Sequence, residues 1–228
     1  MEILHETNIL LHIITGSVAL LLGLIALLST KGAKVHNTSG KLFLIFISTV
    51  ILTGLIGVFV FERNAFLLVL TVLSGYVAFS GYRVLLLKSN APQAIDILVA
   101  IISLFILGYF LYYFKSTSTI PYQPIVIYST VGALIFIITY DLCKYLIPQG
   151  AYEKHQIWMY EHIYKITSAF AGLLSALSGN VLRQYQPHSQ YIPSALGMII
   201  ILGFSIYIYK YGSKNSEKRR IGLEEKKA

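Results

Sequence analysis

The sequence predicts an all-α, polytopic membrane protein of seven transmembrane helices, on three observations. The chain is 56% hydrophobic and only 12% charged, with a mean hydropathy of +0.69, far below the charge a soluble domain of 228 residues carries. Apolar runs of spanning length recur along it, separated by short polar joins. Lysine and arginine concentrate in alternate joins and in the C-terminal tail.

The first run, Ile9 to Leu28, follows an acidic start, MEILHETN, where a secretory leader needs positive charge, so it is expected to remain as a membrane helix. His12 continues into Gly16, Ala19 and Gly23 along one face, a small-residue groove of the kind that receives another helix. The second run, Leu42 to Phe61, follows His-Asn-Thr-Ser-Gly from His36. The third, Ala65 to Leu87, carries Ser-Gly-Tyr units at Ser74 and Ser80 and ends beyond Arg83. Asp96 begins the fourth, Ile95 to Phe114, and Asp141 lies three residues before Lys144 near the end of the fifth, Ile125 to Ile147. All six prolines, Pro92, Pro121, Pro124, Pro148, Pro187 and Pro193, fall between runs and mark the joins independently of hydropathy.

The sixth run, His162 to Val181, is the one around which the rest is organised. Its clean apolar part, Ile166 to Val181, is about 24 Å long at helical rise, short of a bilayer core. The membrane must therefore take in part of the preceding segment, which holds Glu153, Lys154, His155, Glu161, His162 and Lys165. Read as one helix, this stretch puts His155, Met159, His162, Ile166, Ala169, Leu173 and Asn180 on one face. Ser168, Gly172, Ser175 and Gly179 form a small-residue stripe almost opposite, for which the first helix offers a matching groove. Ser194 to Tyr211 is the seventh run. Tyr109, Tyr112, Tyr113, Tyr122 and Tyr128, with Tyr207, Tyr209 and Tyr211, suit an interfacial belt.

One orientation puts fifteen lysines and arginines inside and leaves only Arg63, Lys115 and Arg183 outside. It gives an outside N-terminus and a cytoplasmic C-terminus in the plasma (inner) membrane. Residues 1–211 then form the transmembrane domain and 212–228 a mobile basic tail. With a formal charge of +8, that tail is expected to meet anionic membrane lipid and not nucleic acid.

A single cysteine, Cys143, excludes an intrachain disulfide and any cysteine-based zinc or iron–sulfur cage. Phosphate loops, dinucleotide fingerprints, serine nucleophile motifs and His-x-x-x-His are absent. The inside face carries His36, His155, His162 and both aspartates. Asp141 with Lys144 and Glu161 with Lys165 have the spacing of helical ion pairs, while Asp141 and His162 look deep enough to be functional.

Leu-His-Ile-Ile-Thr-Gly-Ser-Val-Ala from Leu11, Val-His-Asn-Thr-Ser-Gly-Lys from Val35, Ser-Gly-Tyr-Arg from Ser80 and His-Gln-Ile-Trp-Met from His155 together resemble a family of bacterial membrane proteins. That family is called domain of unknown function 2306. The resemblance spans Leu11 to about Asn180 and implies a polytopic fold, with His12, His36, His155, Trp158 and Met159 at matching positions. It implies no activity.

Three functional readings follow. In the first the protein binds b-type haem for electron transfer, with His36 and His162 as ligands at the inner face and His12 at the outer face, completed by His5 or His188. The second is a metal-dependent membrane enzyme acting on a lipid-like substrate, in which His36, His162 or His155, and Asp141 gather zinc. A third is a channel, carrier or assembly factor without catalysis, in which the same residues form a proton or ion path. All three expect His162 within a few ångströms of polar groups on the second or fifth helix, with His36 and Asp141 the candidates.

Overall fold

The computed structural model describes residues 2–62, 65–116 and 124–224. Arg63, Pro121, Tyr122 and the last four residues of the tail lie outside the described residues. The chain is all-helical, and no strand occurs among the described residues. Its helices are α1 (Glu2–Leu28), α2 (Lys34–Phe59), α3 (Ala65–Leu87), α4 (Ala94–Ser116), α5 (Pro124–Cys143), the short α6 (Gln149–Lys154), α7 (Ile157–Val181) and α8 (His188–Glu224).

Six of these, all but α6 and α7, are long and apolar enough to cross a membrane. Large apolar side chains also point outward, among them Phe105 at 79% exposure and Ile199 at 64%. That outer surface suits hydrocarbon. The α7 helix matches the others in length, but Glu161, Lys165 and its serines keep it more polar.

Two helices organise the packing. α3 packs against α2, α4, α5 and α7, while α7 packs against α1, α3, α6 and α8. On α1 the buried positions Thr15, Ala19, Gly23 and Ala26 form a stripe of small residues, and α2 lies along it. At its C-terminus the Ala26 carbonyl, one of the last four that a helix cannot satisfy internally, accepts from Ser29 Oγ at 3.1 Å, His36 Nδ1 at 2.9 Å and Lys31 Nζ at 3.2 Å. Lys31 also donates to Leu27 O, placing a cation at the negative end of the helix dipole.

Several sequence expectations are corrected. The stretch from Tyr152 is not one helix: α6 ends at Lys154, and Gln156 takes a left-handed conformation (φ 51°) before α7 begins. His155 is therefore exposed at a break and shares no helix face with His162. The small-residue stripe of α7 packs on α8 and α3, not chiefly on α1. Ser175 pairs with Ser194 Oγ at 2.9 Å, Gly179 faces Gln190, and Gly172 faces Ser74. The α1 groove goes mainly to α2, with Phe170 of α7 filling the space at Gly23. Pro193 lies inside α8, whose backbone stays helical through Glu224.

Candidate functional site

Four ionised side chains meet where α5 and α7 converge on α3. Asp141 and Lys144 are three apart and Glu161 and Lys165 four apart, so each pair shares a helix face. Both pairs form, and they also join each other. Lys165 Nζ lies 2.5 Å from Asp141 Oδ1 and 3.2 Å from Glu161 Oε2. Lys144 Nζ lies 3.2 Å from Asp141 Oδ1 and 3.1 Å from Glu161 Oε2. Each ammonium thus touches both carboxylates, and the cluster has no net charge.

Two phenols complete it. Tyr76 on α3 donates to Asp141 Oδ2 at 3.0 Å, and Tyr140 donates to Glu161 Oε1 at 3.1 Å. Lys165 has no exposed surface, Glu161 is 3% exposed and Asp141 5%. Tyr152, fully buried on α6, makes no hydrogen bond through its hydroxyl. Burial and then the charge of Glu161 raise its phenol above the usual tyrosine range, so it stays protonated.

The close approach of α3 and α7 depends on Gly81. A Cβ there would lie 2.8 Å from Lys165 Cβ and 3.0 Å from Ile166 Cδ1. The same residue's carbonyl accepts from His162 Nδ1 at 3.0 Å. The polar partner of His162 is therefore a backbone group on the third helix, not His36 or Asp141 as expected.

A second ion pair sits at the nearby ends of α3 and α4. Arg83 Nε reaches Asp96 Oδ1 at 2.7 Å and Nη2 reaches Oδ2 at 3.3 Å, the forked geometry that favours arginine over lysine. These side chains are 22% and 19% exposed.

The histidines divide between the two ends of the bundle. His12 Nδ1 pairs with Thr53 Oγ1 at 2.8 Å, and the Thr53 carbonyl accepts from Asn8 at 3.1 Å. His5 stacks on Phe61 with ring centres 4.6 Å apart, and His188 is exposed at the start of α8. At the other end His36 Nδ1 bonds the Ala26 carbonyl and His162 Nδ1 the Gly81 carbonyl. A carbonyl can only accept, so both rings carry hydrogen on Nδ1, and in the neutral imidazole the lone pair is then on Nε2. Trp158 lies under the Lys88 ammonium, 5.2 Å from its ring centre.

The zinc set of His36, His155, His162 and Asp141 does not assemble. No group of three His, Cys, Asp or Glu with metal-binding geometry occurs among the described residues. His155 stands beyond the helix break, and both oxygens of Asp141 are engaged by Lys165, Lys144 and Tyr76. Comparison with protein-family profiles, with curated proteins and with solved structures finds no match for this chain.

Proposed function

We propose that this protein is a non-catalytic carrier or channel that passes protons through the cluster of Asp141, Lys144, Glu161 and Lys165. In this reading α7 is a seventh span, the N-terminus is outside and the C-terminus cytoplasmic in the plasma (inner) membrane. Its basic tail meets anionic lipid. Membership of the resembled family is part of the proposal and adds no activity to it. What carries the reading is Lys165, held with no exposed surface between two carboxylates inside an apolar bundle. Apolar side chains would fill the same space without the desolvation penalty of four buried charges. Ionisable groups within spanning helices mark proton or ion paths by default.

The chemistry is balanced. A proton moving from Lys165 Nζ to Asp141 Oδ1 breaks one N–H bond, forms one O–H bond and turns an ion pair into a neutral pair. No net charge is created in the low-dielectric interior. Purified protein in liposomes holding a pH-sensitive dye should acidify the lumen when a potassium-diffusion potential is applied. The paired change Asp141→Asn with Lys165→Met should remove that flux. Equal acidification in the paired variant and wild type would sink the proposal.

Topology has a separate check. Cys143 is exposed at the end of α5. A membrane-impermeant maleimide should label it in inside-out vesicles and leave intact cells unlabelled, and an active alkaline phosphatase fused after Ala228 would reverse the assignment.

The inner histidine pair favours b-type haem as a second reading. His ligands usually fix their second ring nitrogen on a carbonyl or carboxylate, and His36 and His162 both do so. They would hold the iron through Nε2, and the haem would supply one-electron chemistry. Protein purified from haem-replete cells should then show a reducible b-type spectrum that His162→Ala diminishes. Colourless protein removes this reading.

A further inference from the structure

Beside the cluster a crevice runs between α3, α4 and α5, lined by Tyr76, Ser80, Arg83, Asp96, Asp141 and Lys144 among others. Tyr76, Ser80 and Arg83 are four and three residues apart, so they climb one face of α3. Exposure falls along that ladder, from 22% at the Arg83 side chain to 8% at Ser80 and 4% at Tyr76. One end is the Arg83–Asp96 fork, and the other is the Tyr76 hydroxyl on Asp141.

Ser80 singles out this crevice. Thr15, Ser39, Ser103 and Thr130, buried in the spanning helices, return their hydroxyls to a carbonyl four residues earlier, whereas Ser189 in the first turn of α8 is, like Ser80, without a protein partner but does not line this crevice. Ser80 Oγ makes no such bond and has no protein partner. A hydroxyl that forgoes its local acceptor while buried needs another partner. The cavity it lines is about 20 Å³, above the roughly 10–15 Å³ that one water requires, and its walls offer several polar groups.

We infer that this crevice is a water-binding port through which protons reach Asp141, closed at the bundle end by the Arg83–Asp96 pair. The ligand is water, anchored by Ser80 Oγ beside Asp141 and Lys144. The inference rests on the proton path proposed above. It adds the direction of access, along α3 from the α4 end, and makes Ser80 a positioning residue and Arg83 with Asp96 the closure.

X-ray hydroxyl-radical footprinting of the full chain in nanodiscs tests it, because radicals formed from bound water oxidise the side chains beside it. Tyr76 should be oxidised several-fold faster than Tyr152, which is at least as buried but does not line the crevice. Ser80→Val, which fills the space, should bring Tyr76 to the Tyr152 rate, and Asp96→Asn, which loosens the closure, should raise it. If Ser80→Val does not fold, Ser80→Ala removes the anchor and should still slow Tyr76 oxidation. Tyr76 oxidised no faster than Tyr152, or unaffected by the folded Ser80 variant, overturns the port. Footprinting and flux are distinguishable: a labelled crevice without flux sinks the proton path and with it the crevice's role as a proton port, leaving only a bound water, and flux with an unlabelled crevice sinks the port alone.

Discussion

Replacing Asp141 by Asn should destabilise the protein by about 3–5 kcal/mol, the usual effect of removing one partner of a buried ion pair. Adding Lys165→Met should recover most of that loss. The single change leaves two buried ammoniums facing one carboxylate, an uncompensated charge where Lys165 has no exposed surface. In the double variant neutrality returns, with Lys144 still paired to Glu161 at 3.1 Å and Tyr140 still donating to Glu161. Thermal unfolding of all four members of this cycle in detergent measures the coupling. If the double variant loses the sum of the two single losses, the four charges are not one unit.

A second large effect is expected at Gly81. Alanine there should cost about 1–3 kcal/mol by overpacking, and valine more, because the new Cβ meets Lys165 Cβ at 2.8 Å and Ile166 on the facing helix. The Ile166 side chain can turn aside, but Lys165 Cβ is fixed to its own backbone, so α3 and α7 must separate. That separation would strain the Lys165 contacts and the His162 bond to the Gly81 carbonyl. Gly132 on α5 is the control, since a Cβ there meets nothing within 4 Å. Gly132→Ala should therefore be neutral or stabilising by up to about 1 kcal/mol, as alanine is the better helix former. Equal melting temperatures for Gly81→Val and wild type would show that the helices do not need this contact.

Much of the architecture was legible because it follows from local chemistry. Runs of apolar residues bounded by proline, glycine and charge mark helices and joins, and the third was read as Ala65 to Leu87, the bounds it has in the structure. The two ion pairs were legible too, since spacings of three and four put side chains together on any helix. The break at His155 and Gln156 was not, because no glycine or proline announces it and Gln156 adopts a positive φ that its type does not favour. The partner of the α7 stripe was misread for a related reason. Small residues say that a helix comes close, and they do not say which one.

The sequence by itself determined an all-helical chain with an apolar exterior, and it placed Asp141, Lys144, Glu161 and Lys165 near the ends of neighbouring helices. Only the tertiary structure decided that these became one neutral cluster with Tyr76, which is separated from Asp141 by 65 positions in the chain. It also decided that His162 would answer to a backbone carbonyl, a group every residue carries and no motif can announce. The physical reason is the range of the interactions. Helix formation and pairing within a helix depend on residues a few positions apart. Neutralising a buried charge depends on whichever groups close packing delivers, and here Gly81 sets that packing by letting α7 lie against α3.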